Sequence, residues 1–213
     1  MADANPATPV PAPALELFER AIDFALAGHG SQTREGTSVS IVSHLLQVSG
    51  LVLENGGDWE QAAAAMVHDA LEDLPGVTAD TIQRRFGARV ARIVSDCTDT
   101  LPGDAPAEKS PWAERKARYL DQLAQIAPDS LLVAACDKRH TLGSIIADFR
   151  VQGPPVFERF NEPAEQQLLF YREFVRRAGD RLPNRLRIDL EALVSEFEEM
   201  VIAKYPVSAP GDA

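Results

Sequence analysis

Apolar residues recur at helical spacing along almost the whole chain. Leu15, Phe18, Ile22, Phe24, Ala25 and Leu26 fall at helical intervals in "ALELFERAIDFALAGHG", which ends in a glycine-rich stop. "SQTREGTS" is a polar loop, and "SIVSHLLQVSGLVLENGG" predicts a second helix closed by Gly56-Gly57. Asp58 is placed to cap a third, "WEQAAAAMVHDALEDL", which stops before Pro75-Gly76. "TADTIQRRFGARVARIVSDCTD" divides near Gly87 into two short helices, with Thr78 and Thr81 as cap residues. "WAERKARYLDQLAQIA" is a further helix, with Trp112, like Trp59, anchoring a helix start. "PDSLLVAACDKRHTLGSIIADF" is a largely buried one headed by Pro128. After the "VQGPP" break, "EQQLLFYREFVRRAG" and "LRIDLEALVSEFEEMVIAK" are both amphipathic.

No segment has the alternation of a strand, and no repeat is evident. The pattern predicts an all-α, single-domain bundle over residues 14–204. Residues 1–13, rich in Ala and Pro, and 205–213, "YPVSAPGDA", are expected to be disordered tails. "TLPGDAPAEKSP" is expected to be an exposed, mobile loop.

Composition narrows the function. A chain of 213 residues, 45% of them hydrophobic, is long enough to bury one sizeable core. A net charge of −11 disfavours binding to nucleic acid polymers or anionic membranes, and any phosphorylated small molecule would need a local cationic device. The two cysteines, Cys97 and Cys136, lie in apolar surroundings without CxxC spacing, as reduced core residues would. With no signal-like N-terminus and no membrane-length apolar run, the expected location is the cytoplasm. No pattern specifies an oligomeric state.

The candidate chemistry lies where polar groups interrupt apolar faces. "AAAAMVHDALEDL" crowds His68, Asp69, Glu72 and Asp73 together, although like charges at i,i+4 destabilise a helix by a few tenths of a kcal/mol. Either that face is solvated or a cation sits against it. His44 shares a helical stripe with Ile41, Val48 and Leu51. Asp137 follows the apolar "LLVAAC" and needs a cation or an arginine partner if it stays ionised. Two His and two Asp on three helices form a mixed nitrogen and oxygen set that suits Mn²⁺ or Fe²⁺ and admits zinc. Glu72 and Asp73 would then be placed to orient and deprotonate a water. His29 suits a helix C-terminus, His140 stands one turn beyond Asp137, and Arg34, Lys116 and Lys138 are candidate phosphate contacts.

"SHLLQVSGLVLENGG", "AAAAMVHDALEDLPGVTADTIQRRFGARVARIVSDCTDT" and "LLVAACDKRH", in that order, resemble the HD-domain metal-dependent phosphohydrolases. The likeness is nearest to RelA/SpoT-type hydrolase domains and free-standing small alarmone hydrolases, and runs from about His29 to Arg177. It implies an HD-type helical bundle with metal ligands at His44, His68, Asp69 and Asp137 and a catalytic pair at Glu72 and Asp73. It also implies Mn²⁺ as cofactor and a phosphorylated nucleotide as partner. The implied reaction is hydrolysis of the 3′-diphosphate of guanosine tetra- or pentaphosphate, releasing pyrophosphate. Arg34, Lys116, Lys138, Thr141 and Tyr171 would lie near the substrate, with the segment around Tyr171 and Arg172 closing over it.

The chain departs from that pattern at several positions. Glu35 stands where the family often has Lys, Ser40-Ile41 where it has Pro-Tyr, Thr141 for Asn and Gly143 for Arg. Exchanging a Lys for a Glu weakens phosphate binding. Another nucleotide, such as an adenosine alarmone or NADPH, is therefore the alternative substrate, and a nucleotide-sensing domain without turnover the alternative class.

Overall fold

An almost featureless stretch of alanine occupies the middle of the protein. Ala62, Ala63, Ala64, Ala65 and Met66 are all fully buried in α3 (Trp59–Met66), whose short side chains let neighbouring helices approach closely. α1 (Ala12–His29), α2 (Ile41–Glu54), α6 (Ala88–Cys97) and α8 (Pro128–Gln152) pack around it. The α2–α3 approach is close enough for Ser49 Oγ to donate to the Ala62 carbonyl at 3.0 Å. The computed structural model describes residues 12–99, 110–160 and 162–204, and among them the regular structure is helical apart from an isolated Thr33–Ser40 bridge.

Most helix boundaries follow local chemistry visible in the sequence. Asp58 caps α3 through Gln61 N–H, and the Gln61 side chain accepts from Asp58 N–H in return, a complete capping box. Thr78 caps α5 (Ala79–Phe86) by accepting from Thr81 N–H. Gly87, at φ +92°, turns the chain directly into α6 from a backbone conformation that favours glycine. α7 (Trp112–Leu123) stops sooner than its pattern suggests. Pro128 opens α8, which runs through Val151 and Gln152 before Gly153 ends it. A 3₁₀ turn, Pro154–Arg159, not anticipated from the "VQGPP" sequence, leads into α9 (Ala164–Ala178). α10 (Asn184–Lys204) packs on α8 and α9. The first helix takes in Ala12 and Pro13, which the sequence assigned to the tail. The remainder of that tail, the loop at 100–109 and the 205–213 tail lie outside the described residues.

A charged cluster ties α3, α6 and α8 together on the surface. Arg89 donates to Asp58, Glu60 and Asp129, and Arg92 donates to Asp129 and to Ser130 Oγ. Burial alone would raise the Asp129 carboxyl, but the hydrogen bonds from Arg92 and Arg89 outweigh it and bring it down to about 2. A carboxylate depressed in the folded state stabilises above its unfolded value near 4, and that contribution vanishes as pH falls through about 2. Asp129→Asn is therefore expected to cost about 2 kcal/mol at pH 7 and to flatten the acid limb of stability between pH 4 and 2. Urea denaturation of the variant and the parent across that range measures both effects.

Candidate functional site

The continuous helix expected from Trp59 to Leu74 does not form. α3 ends at Met66, and Val67–Asp69 make a turn before the single helical turn α4 (Ala70–Asp73). No glycine or proline explains the break, but His68 does. Its Nδ1–H donates to the Ala65 carbonyl at 2.7 Å, the acceptor that Asp69 N–H would use in an unbroken helix. Ala70 N–H instead bonds back to Val67 O. His68 and Asp69 thus project from a tight turn. Glu72 and Asp73 lie in the single turn of α4 that follows the break.

The same bond settles the His68 proton. A carbonyl only accepts, so the ring N–H is on Nδ1 and Nε2 carries a lone pair when the ring is neutral. That Nε2 stands 3.4 Å from His44 Nε2 and 3.1 Å from Asp69 Oδ1. Asp137 Oδ1, from α8, lies 3.4 Å from His44 Nε2 and 3.7 Å from His68 Nε2, while Asp69 Oδ2 is 3.7 Å from His44 Nε2. Ligand atoms sharing one ion at ~2.1 Å stand roughly 3.0–3.4 Å apart for octahedral to tetrahedral angles. The His44–His68, His68–Asp69 and His44–Asp137 separations fall in that range, and the two 3.7 Å separations lie just beyond it. Asp137 closes the set through Oδ1, its Oδ2 being bonded to Lys138 Nζ. All four expected ligands therefore converge, and their chemistry fits a cation.

Electrostatics agree. Burial pushes His68 down, yet Asp69 and Asp137 overcome it and raise the imidazole to about 9. Burial, with His44 and Arg34 alongside, pushes His140 down to about 3 and keeps it neutral. His140 Nδ1 lies 2.7 Å from His44 Nδ1 and 3.2 Å from Arg34 Nη1. Thr141 Oγ1 donates to Asp137 Oδ1 at 3.2 Å.

The converged ligands open into a cavity of roughly 630 Å³, whose wall includes Gln32, Arg34, Glu35, Glu72, Asp73, Lys138 and Thr141. Glu35, Glu72, Lys138 and Thr141 also line a second chamber of roughly 310 Å³. Its far wall combines Trp112, Phe160, Phe170 and Tyr171 with Arg115 and Lys116. Glu72 Oε1 is fixed by Thr98 Oγ1 and Asp99 N–H, each at 2.9 Å.

Every expected site residue thus reaches one of the two cavities or the ligand cluster. The candidate cations, however, are held by the protein: Arg34 by His140, Lys138 by Asp137 and Lys116 by Asp99 at 2.6 Å. Tyr171 lines the chamber, but its neighbour Arg172 pairs with Glu198 and is not part of that wall. His29, expected as a helix-end cation, ends α1 fully buried and bonds Gln32 Oε1 at 2.6 Å. Gln32 in turn donates to the Asp73 carbonyl at 3.4 Å. The sequence reading missed Gln32, Asp99, Arg115 and Phe170. Asp99, buried beside Arg115 and Lys116, left only a faint signal: an acid just past an apolar helix.

Residues 21–155 match the family model described as HD domain. The chain belongs to the HD-domain family. HD-domain membership and the clustered His and Asp donors imply a divalent metal. This HD domain is 33% identical over 134 residues to the mouse guanosine-3′,5′-bis(diphosphate) 3′-pyrophosphohydrolase MESH1, covering 61% of this chain and 69% of the relative. It is 41% identical over 83 residues to the Aquifex aeolicus guanosine-3′,5′-bis(diphosphate) 3′-pyrophosphohydrolase, which is 39% of this chain but only 12% of that protein. Its fold matches a solved metazoan ortholog of SpoT at a TM-score of 0.70 and 21% identity, covering 89% of this chain and 98% of the other. A Listeria monocytogenes structure matches at 0.58 and 21% identity, covering 75% and 97%.

Divalent metal is expected to raise the melting temperature, by an amount equivalent to about 2.7 kcal/mol at a hundredfold excess over Kd. EDTA should reverse the shift and Asp69→Asn should remove it, as scanning calorimetry would register. Because His68 holds its proton up to about pH 9 and the ion must displace it, metal affinity should rise about tenfold per pH unit below that value. Isothermal titrations at pH 7 and 8 test the slope.

Proposed function

We propose that this HD domain is a metal-dependent phosphohydrolase of phosphorylated nucleotides, acting as a (p)ppGpp 3′-pyrophosphohydrolase that releases pyrophosphate. One observation carries the reading. The Nε2 atoms of His44 and His68 and the Asp69 and Asp137 oxygens gather beside a cavity that shares a wall with an aromatic, cation-bearing chamber. The names of the mouse and Aquifex relatives supply the substrate.

On this reading His44, His68, Asp69 and Asp137 hold Mn²⁺, which supplies Lewis acidity and lowers the pKa of water. Glu72, with Oε1 locked by Thr98 and Asp99, presents its carboxyl where both cavities meet and accepts the proton of the attacking water. Asp73, on the same turn, orients that water. A new P–O bond forms as the P–O3′ bond breaks in line, and the proton passes to the leaving 3′ oxygen. Lys138 and Arg34 face the developing phosphoryl charge, while Lys116, Thr141 and Tyr171 contact the nucleoside end. The buried free cysteines support a cytoplasmic site of action. Among the described residues, no helix is long and apolar enough to cross a membrane.

Glu35 favours a second reading, in which the nucleotide is an adenosine alarmone or NADPH. Its carboxylate lies on the wall shared by both cavities, where the family often has a Lys, and so weakens phosphate binding at that wall. Asp69→Ala and Glu72→Gln should each lower Mn²⁺-dependent pyrophosphate release from ppGpp by about 10²-fold or more. An unchanged rate in Asp69→Ala would overturn the mechanism. Turnover of adenosine nucleotides with ppGpp left intact would select the second reading, and tight binding without hydrolysis of any nucleotide would make the domain a sensor.

A further inference from the structure

His44 faces the ligand cluster with Nε2 and turns Nδ1 away from it, towards His140. Behind His140 stands Arg34, whose guanidinium carries N–H donors only. The 3.2 Å contact between Arg34 Nη1 and His140 Nδ1 can therefore run in one direction, with the imidazole nitrogen accepting. A nitrogen that accepts from Arg34 has no proton to give His44. The 2.7 Å contact between the two Nδ1 atoms must then draw its proton from His44. In the neutral ring, which carries one N–H, His44 Nε2 is then left with a lone pair on the side of the Asp69 and Asp137 oxygens and of His68.

We propose that Arg34 and His140 are positioning residues that set the tautomer of His44, so that Arg34 acts on the metal ligand as well as on any substrate. The reverse chain is disfavoured, because a proton on His140 Nδ1 would oppose the Arg34 N–H donor to donor. His68 reaches the same state by a different route, through the Ala65 carbonyl. Its anchor is backbone and survives any side-chain change. The anchor of His44 is two side chains and can be removed.

The inference rests on the metal site proposed above, and Mn²⁺ titration calorimetry of the full chain separates the two. Arg34→Ala and His140→Leu should each weaken the Mn²⁺ Kd by about tenfold or more, as loss of a ligand's outer hydrogen bond generally does. His140→Gln, whose Oε1 can accept from His44, should stay within about threefold of the parent. If Arg34 were a substrate contact alone, Arg34→Ala would raise KM and leave the Mn²⁺ Kd unchanged, which would overturn the proposal while sparing the metal site. A parent protein that binds no divalent ion would overturn both. Should the variants fail to fold, long-range ¹H–¹⁵N correlations on the metal-free parent read His140 directly. The Nε2–H form is expected, and an Nδ1–H form would sink the relay.

Discussion

Two imidazole nitrogens 3.4 Å apart in a buried site impose the constraint on which the rest of the molecule depends. Their lone pairs repel unless a cation lies between them, and the two carboxylates beside them repel each other for the same reason. A proton on His68 answers that need in the metal-free protein, which is why its imidazole stays charged to about pH 9 despite complete burial. A divalent ion, which HD-domain membership implies, would answer it better, because one such charge would face the imidazoles and the carboxylates together. Bringing the groups this close requires α2, the α3–α4 turn and α8 to meet with no bulky side chain between them. The buried alanines of α3 meet that requirement. The run that looks least informative in the sequence is therefore what allows the ligands to converge.

Helical periodicity made the bundle legible, and side-chain caps at Asp58 and Thr78 marked boundaries to within a residue or two. The interruption at Val67–Asp69 was not legible. Nothing in the propensities of "MVHDAL" forbids a helix, and the break arises from a ring nitrogen competing for a backbone carbonyl, a contact that depends on where His68 must point. The identities of the four converging groups were readable because polar residues on apolar faces need partners. Asp99 and Gln32 were not, because their work is to hold other side chains in place.

The cations around the cavities explain how an acidic protein can receive an anionic ligand. Lys138, Lys116 and Arg115 are each bonded to a buried carboxylate, Asp137 or Asp99. Such pairing lowers the net field that each cation projects, but it fixes position. Lys116 is further held near the Trp112 and Phe170 rings, 5.9 and 5.1 Å from their centroids, and Lys138 lies 5.3 Å from that of Tyr119. A phosphate entering either cavity would meet charges already in place, with less side-chain entropy left to lose on binding. The design favours discrimination by geometry over attraction at a distance, in keeping with a chain whose overall charge of −11 repels anions.

The departures from the family pattern can be sorted on this basis. Thr141 replaces an amide expected at the nucleotide, yet its hydroxyl donates to Asp137 Oδ1, the oxygen that this carboxylate turns towards the two imidazoles, so its first effect is on that carboxylate. Ser40 replaces a proline and caps α2 by accepting from Val42 N–H, which steadies the helix carrying His44. A side chain at Gly143 would approach only Arg139, at 4.0 Å, and Gly143 lines neither chamber. Glu35, Ile41 and Thr141 are the departures that line the cavities, and Glu35 is the one that changes their charge. Among these departures Glu35 is therefore the one at the junction of the two cavities that changes their charge, while Thr141 and Ser40, which look like losses, bond Asp137 and cap the helix that carries His44.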